Sequence, residues 1–121
     1  MVKVKDKGAA YERELAAVFR AYGYDEARRT AQYCGKAEEA ADVVGLPMIH
    51  IEAKRQETMR LYEWMEQAKR DCDGAHIPAV FHRKNRAATL VTMELHDWMQ
   101  LYKQFEVAVK ELDPNWRWKD A

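Results

Sequence analysis

The sequence predicts an α/β (α+β) fold with a mixed central sheet flanked by helices. Apolar residues recur at helical spacing in three segments, and they alternate at strand spacing from Ile49 to Arg55. The order strand, helix, strand between Ile49 and His82 requires a right-handed crossover and therefore a parallel pair. The 121 residues are expected to form a single domain, residues 1–121, which by its length can bury about two-thirds of its unfolded surface.

The first helix is predicted from about Gly8 to Tyr22, after a short basic arm at residues 1–7. Gly23 supplies the usual helix stop. Glu12 borders the apolar stripe and so faces partly inward, although a carboxylate in the first turn also interacts favourably with the helix dipole. The stripe consists of Tyr11, Leu15, Val18, Phe19 and Tyr22.

Two strands of weaker pattern follow this helix. Residues 24–33 are predicted as the first, residues 34–38 as a loop, and residues 40–44 as the second. Asp42 lies in the second strand among apolar neighbours, where an unpaired carboxylate is costly and Asp is a poor strand former. By residue type alone, a turn or cap aspartate is an equally good interpretation.

The third strand, Ile49–Arg55, has one predicted apolar face, and the turn before it contains Gly45, Leu46 and Pro47. If residue 47 is at the centre of the turn, Asp42 opposes Glu52 and the two side chains share a face. A two-residue loop at 46 and 47 would place Asp42 on the wrong face. We therefore predict an odd-numbered loop, or a bulge. Ile49, Ile51 and Ala53 point one way, whereas His50, Glu52 and Lys54 point the other.

A second helix, capped by Thr58 and ending at Asp73-Gly74, is predicted before the strand at residues 77–82. The next strand is expected at residues 88–93, and Thr92 is a candidate cap for a long last helix. The apolar stripe of the last helix is interpreted as core, and it contains Leu95, Trp98, Met99, Tyr102, Phe105 and Val109.

Asp113-Pro114 ends the last helix and begins a tail, residues 113–121. Trp116 and Trp118 in this tail are expected to dock on this chain or on a partner. Cys34 and Cys72 fit no zinc or redox spacing, so we expect reduced thiols in an intracellular, cytoplasmic protein. The sequence contains no long apolar run, so no membrane association is expected.

The formal net charge is zero, which counts against a module that only binds nucleic-acid backbone. It does not count against a nuclease, because metal-binding carboxylates offset basic residues elsewhere. Each local basic group, taken alone, is most simply a solvated surface. These groups are Lys3, Lys5 and Lys7; Arg28 and Arg29; Lys54 and Arg55; and Arg83, Lys84 and Arg86.

The acidic residues and Lys54 together suit phosphodiester hydrolysis. Asp42 and Glu52 would bind Mg²⁺ or Mn²⁺, which prefer hard oxygen ligands, and the backbone carbonyl of Ala53 would be a neighbouring ligand. Glu12 would hold a second metal or a metal-bound water. Lys54 would orient or deprotonate the attacking water, or stabilise the phosphorane.

This layout resembles the PD-(D/E)xK nuclease superfamily, and within it the archaeal-type and phage-encoded Holliday junction resolvases. The resemblance is carried by Lys7-Gly8-Ala9, Glu12-Arg13-Glu14-Leu15, Ala41-Asp42-Val43-Val44 and Ile51-Glu52-Ala53-Lys54. It implies a restriction-endonuclease-like αβββαβ core, followed here by an additional strand and a C-terminal helix. The sequence departs from the pattern before Asp42, where there is no proline, and at residues 34–38.

The resemblance also implies roles and partners. Asp42 and Glu52 match metal ligands, Lys54 the catalytic lysine, Glu12 the acid of the first helix, and Gln67 a glutamine often found in related nucleases. Such resolvases are homodimers that act on branched DNA, namely a four-way junction. The residues expected to contact DNA are Lys3, Lys5, Lys7, Arg28, Arg29 and Arg55.

Three alternatives remain open. A phage endonuclease of the same fold would cut duplex, flap or single-stranded DNA rather than junctions. A non-catalytic DNA-binding relative would usually lack one of the four matched residues. A small α/β protein could use Glu52 and Lys54 as a plain surface salt bridge, and Asp42 would then lie well away from Glu52.

Overall fold

The computed structural model describes residues 4–30 and 41–117, and for residues 4–6 it describes the backbone alone. In these residues, five strands form one sheet in the order β1-β2-β3-β4-β5, in which the β3–β4 pair is parallel and the other pairs are antiparallel. The αβββαβ core with an additional strand and helix is confirmed. The elements are α1 Val4–Ala21, β1 Arg28–Arg29, β2 Val43–Val44, β3 Ile49–Arg55, α2 Leu61–Asp71, β4 Ile77–Arg83, β5 Leu90–Thr92 and α3 Leu95–Leu112.

The core lies on both faces of the central strands. On one face, Tyr11, Leu15 and Phe19 of α1 pack on the sheet, and Phe19 meets Phe81 edge to face with ring centroids 5.5 Å apart. The other two residues of the predicted stripe, Val18 and Tyr22, are exposed. On the other face, Trp64, Met65 and Ala68 of α2 pack against Val80. β3 has the predicted apolar face, but the opposite face is also buried although it carries the polar His50 and Glu52.

The register of the β2–β3 hairpin is the one predicted. Val43 is paired with Ile51, which centres the turn on Pro47 and brings Asp42 opposite Glu52. Gly45 has a φ of +102°, and a Cβ there would lie 2.5 Å from the Cα of Ala27. A glycine is therefore required where the turn packs against the chain leading into β1.

Several boundaries differ from those predicted. Helix α1 begins at Val4, so residues 4–7 of the expected basic arm are helical. The strand expected at residues 24–33 is formed by Arg28–Arg29, while the loop at 34–38, together with Cys34, lies outside the described residues. Cys72 is a free thiol.

The two predicted threonine caps were wrong. Helix α2 begins at Leu61 after Arg60, with no side-chain cap, and it ends at Asp71. Thr92 instead shares a 2.8 Å hydrogen bond with Nε2 of His82 across the β4–β5 pair, so its hydroxyl is engaged within the sheet.

The last helix is the largest departure from prediction. Its stripe was expected to be core, yet α3, whose residues are all described, has none buried. Trp116 does dock on this chain, with its ring centroid 5.3 Å from that of Phe105, whereas Trp118 lies outside the described residues. Within residues 4–30 and 41–117, no helix has the length and apolar content needed to cross a bilayer.

Candidate active site

Asp42 is held in place mainly by backbone groups. Its N–H donates to the carbonyl of Ile51 at 2.9 Å, and its carbonyl accepts from the N–H of Thr30 at 3.1 Å, so the ladder extends beyond β2. Its carboxylate Oδ2 accepts the N–H of Ala53 at 2.7 Å. The side chain is therefore fixed on the Glu52 side of the hairpin, which removes the alternative in which Asp42 lies far from Glu52.

Glu52 is the most unusual acid of the group, with only 2% of its surface exposed. Burial, followed by the negative charge of Asp42, raises the pKa of Glu52 to about 8. The two side chains are hydrogen-bonded, and burial also raises the pKa of Asp42, against the opposing effect of the Ala53 N–H. The pair therefore retains a proton near neutral pH in the protein without metal.

Lys54 lies beside this pair on the same face of β3. Its Nζ is 3.8 Å from Oε2 of Glu52 and donates to Oε1 of Gln67 at 3.0 Å. Gln67 was predicted from the resemblance alone, and α2 places its side chain against the lysine. Because the Lys54 ammonium contacts Glu52 of β3 and Gln67 of α2, it has few alternative positions.

Glu12 stands further out. It accepts a hydrogen bond from Nε of Arg29 at 2.6 Å, so this arginine, expected to contact DNA, is engaged with the first helix. Burial raises the pKa of Glu12, and the negative charge of Asp42 raises it further. Glu12 is thus within electrostatic reach of Asp42.

His50 is buried next to Glu52, and their Nε2 and Oε1 atoms are 3.9 Å apart. Neither atom has a hydrogen-bond partner in the described part of the chain. Burial lowers the pKa of His50, while the negative charge of Asp71 opposes that shift.

Asp71 also raises the pKa of Glu52 and Asp42, and its influence on the site was not predicted from the sequence. An acid in the last turn of a helix opposes the helix dipole, which could have drawn attention to it.

The donors present are suited to a hard divalent cation. Asp42 and Glu52 supply carboxylate oxygens in mutual contact, and the Oε1 atom of Glu52 is buried without a partner within residues 4–30 and 41–117. A cation would relieve the repulsion that raises both pKa values. No group of three or more His, Cys, Asp or Glu side chains in the described residues converges on one point, so further ligands would come from backbone or water.

Comparison with known proteins identifies the family to which the chain belongs. Residues 3–117 match the family model described as "Phage putative PDDEXK endonuclease". The chain belongs to this family. No curated protein and no solved structure matches it. Membership in the PDDEXK endonucleases supports nuclease activity in general and implies DNA as substrate, and nucleases of this class generally use divalent metals. The family match does not test the closer resemblance to Holliday junction resolvases, which stays a prediction.

A basic cleft of this PDDEXK endonuclease lies at the C-terminal ends of β3 and β4. Arg55 donates to Oδ1 of Asn85 at 2.9 Å, and Arg83 donates to Glu14 at 2.7 Å. Nη1 of Arg55 and Nε of Arg83 are buried and lack partners among the described residues. The cleft is lined by Arg55, Glu57, Arg83, Asn85 and Arg86, and Lys7 lines the adjoining hollow.

The predicted DNA-binding residues of the endonuclease are therefore divided. Lys7 and Arg55 lie at the basic cleft, while Arg28 and Arg29 lie in β1 at the far edge of the sheet. Lys3 lies outside the described residues, as does the side chain of Lys5. Arg83 and Arg86 could not be chosen over other basic residues from the sequence alone, because only the parallel β3–β4 pairing brings them to Arg55.

Proposed function

We propose that this chain is a metal-dependent, structure-specific DNA endonuclease that hydrolyses phosphodiesters at Asp42, Glu52 and Lys54. The proposal rests on one observation. Two buried carboxylates are in contact, both with raised pKa values, and a lysine lies 3.8 Å from one of them. Such an arrangement is unfavourable for folding alone, so it indicates a site that binds a cation and a phosphate.

Asp42, Glu52 and the backbone carbonyl of Ala53 would hold Mg²⁺ or Mn²⁺, and Glu12 would serve a second ion at the edge of the site. When bound, the ion lowers the pKa of water and neutralises charge that develops on the phosphate. Glu52 gives up its proton on binding, so affinity for the metal rises with pH. Arg29 holds Glu12 at the border of α1, where it remains available to the site.

Lys54 would orient or deprotonate the attacking water, or stabilise the pentavalent phosphate. Gln67 accepts one of the ammonium hydrogens and leaves the others for the reaction. Lys54 is thus the residue that acts on the substrate, and Gln67 is a positioning residue.

The basic cleft would bind the phosphates that flank the cut. Arg55 and Arg83 offer N–H groups that are buried without partners among the described residues, as expected of donors reserved for an anion. Lys7 and Arg86 would extend this contact, and Lys3, Lys5, Arg28 and Arg29 are proposed as outer contacts. Because the net charge is zero, DNA would be attracted by these local groups rather than by an overall field.

A four-way junction is the proposed substrate, with a homodimer cutting two strands and acting in the cytoplasm or nucleoid of the host cell. The support for this substrate is the resemblance of the Glu12, Asp42, Glu52 and Lys54 segments to junction resolvases. A phage endonuclease that cuts duplex, flap or single-stranded DNA fits the family match equally well. A non-catalytic binder is disfavoured because all four residues are retained.

The test is cleavage of a labelled four-way junction, a flap and a linear duplex of the same sequence, with Mg²⁺, Mn²⁺ or chelator. Asp42→Asn and Lys54→Ala are compared with Lys69→Ala, which removes an exposed lysine of α2. Paired nicks in the junction alone, lost in chelator and in both site variants, would support the resolvase. Equal cutting of linear DNA would support metal-dependent hydrolysis but contradict the four-way junction as the preferred substrate. Junction binding without any cutting would favour the non-catalytic binder.

A further inference from the structure

Helix α3 carries a continuous row of exposed aromatic rings. The ring centroids of Trp98 and Tyr102 are 5.2 Å apart and stacked, and those of Tyr102 and Phe105 are 6.3 Å apart. Trp98, Tyr102 and Phe105 each leave 44–47% of their surface exposed. In proteins, most helical stability comes from packing of an apolar face. The row therefore indicates a partner that covers α3.

The spacing of the apolar residues identifies the kind of partner. Six apolar residues of α3 occur at intervals of three, four, three, four and three, which is the a and d pattern of a two-stranded coiled coil. The exposed Met99 and Leu101 flank this row on its two sides. The positions of this seam are Leu95, Trp98, Tyr102, Phe105, Val109 and Leu112.

We propose that α3 pairs antiparallel with α3 of a second copy of this chain. In a pairing centred between residues 103 and 104, every a position faces a d position. Tyr102 then lies against the partner's Phe105, Trp98 against the partner's Val109, and Leu95 against the partner's Leu112. The seam is self-complementary, as a two-fold interface must be.

The helix dipoles favour this arrangement over a parallel one, because they oppose each other in the antiparallel pair. Because α3 carries Lys103 and Lys110 against three acids, it has no excess positive charge to attract DNA backbone or an anionic membrane.

The exposed seam is large enough for a specific interface. Three aromatic and three aliphatic side chains from each copy would bury on the order of 1,000 Å² in total, near the lower limit for specific complexes. The pairing would hold the Asp42–Glu52 sites of the two copies in a fixed two-fold relation. It does not depend on the proposed chemistry, since none of the proposed site residues lies in α3.

The mass of the full chain in solution tests the pairing, measured without DNA by sedimentation equilibrium. Wild type is expected at twice the 14.2 kDa of one chain, and Tyr102→Asp/Phe105→Asp at one chain mass. Gln100→Asp/Gln104→Asp is the matched control, because both residues are exposed on α3 outside the seam and the variant should remain dimeric. Circular dichroism checks that each variant is folded.

Disulfide formation then tests the orientation. In a background of Cys34→Ser/Cys72→Ser, a mixture of Leu95→Cys and Leu112→Cys chains should cross-link only between unlike chains. Cross-linking between like chains would overturn the antiparallel arrangement. A wild type that is monomeric at high concentration, or a dimer that persists in Tyr102→Asp/Phe105→Asp, would overturn the pairing itself while leaving the nuclease assay unaffected.

Discussion

Strand β3 and helix α3 both carry regular apolar patterns, but their apolar side chains differ in burial. The apolar residues of β3 are covered by α1 and sheet neighbours, and Ile51 is fully buried. No residue of α3 is buried, and most of its apolar side chains are exposed. A periodic pattern therefore shows that a face needs an apolar partner, but it does not show whether that partner belongs to the same chain.

The largest expected difference between the two regions is in catalysis. Lys54→Ala should reduce the cleavage rate by about 10²–10³-fold, because it removes a positive charge placed beside the reacting phosphate. Tyr102→Ala should leave the rate on a short linear duplex nearly unchanged if that substrate is cut by single sites. Single-turnover rates under metal saturation measure both variants. A small loss of cleavage rate in Lys54→Ala would show that another residue has the catalytic role.

Substitutions in β3 and α3 should also differ in their effect on the free energy of unfolding. Ile51→Ala should lower the free energy of unfolding by about 2–5 kcal/mol, because it leaves a cavity in the core. Val107→Ala removes an exposed side chain of α3 outside the proposed seam, and its effect should be within about 0.5 kcal/mol. Urea titration of both variants gives the comparison, and equal losses would show that Val107 is packed against a partner in solution rather than lying outside the seam.

The pH dependence of stability should come from the acid pair. The pKa of Glu52 is about 8 in the folded chain and near 4.5 when unfolded, so the folded state binds more protons between these values. Stability of the metal-free protein should therefore fall by on the order of a few kcal/mol as pH rises from 4.5 to 8. Glu52→Gln should flatten this profile, whereas Glu63→Gln, at an exposed site on α2, should not. A wild-type profile that rises over this range would contradict the assignment.

The smallest expected effect is that of Gln67→Ala. It removes the 3.0 Å contact that holds Lys54 but no group that touches substrate, so the rate should fall about 10-fold. A positioning role predicts that Gln67→Glu, which keeps an acceptor, restores part of the rate in the same assay. Loss equal to that of Lys54→Ala would instead place Gln67 at the reacting atoms.

The site geometry was predictable to a large extent because strand pairing is governed by parity. The choice of residue 47 as turn centre follows from requiring Asp42 and Glu52 to share a face, and the Val43–Ile51 pair confirms it. The burial of His50 and the approach of Asp71 were not predictable, since both depend on how α2 lies across the sheet. The exposure of α3 was missed for the reason given above, because periodicity does not identify the partner.

The β2–β3 turn limits how the sequence of this hairpin can change over evolution. The turn centred on Pro47 pairs Val43 with Ile51, and side chains alternate faces at every residue. A single-residue insertion between Val44 and Ile49 would move Asp42 to the α1 face and separate the acids, unless a bulge restored the register. Insertions of two residues would preserve the acid pair. Active descendants and ancestors of this chain should therefore differ in turn length by even numbers.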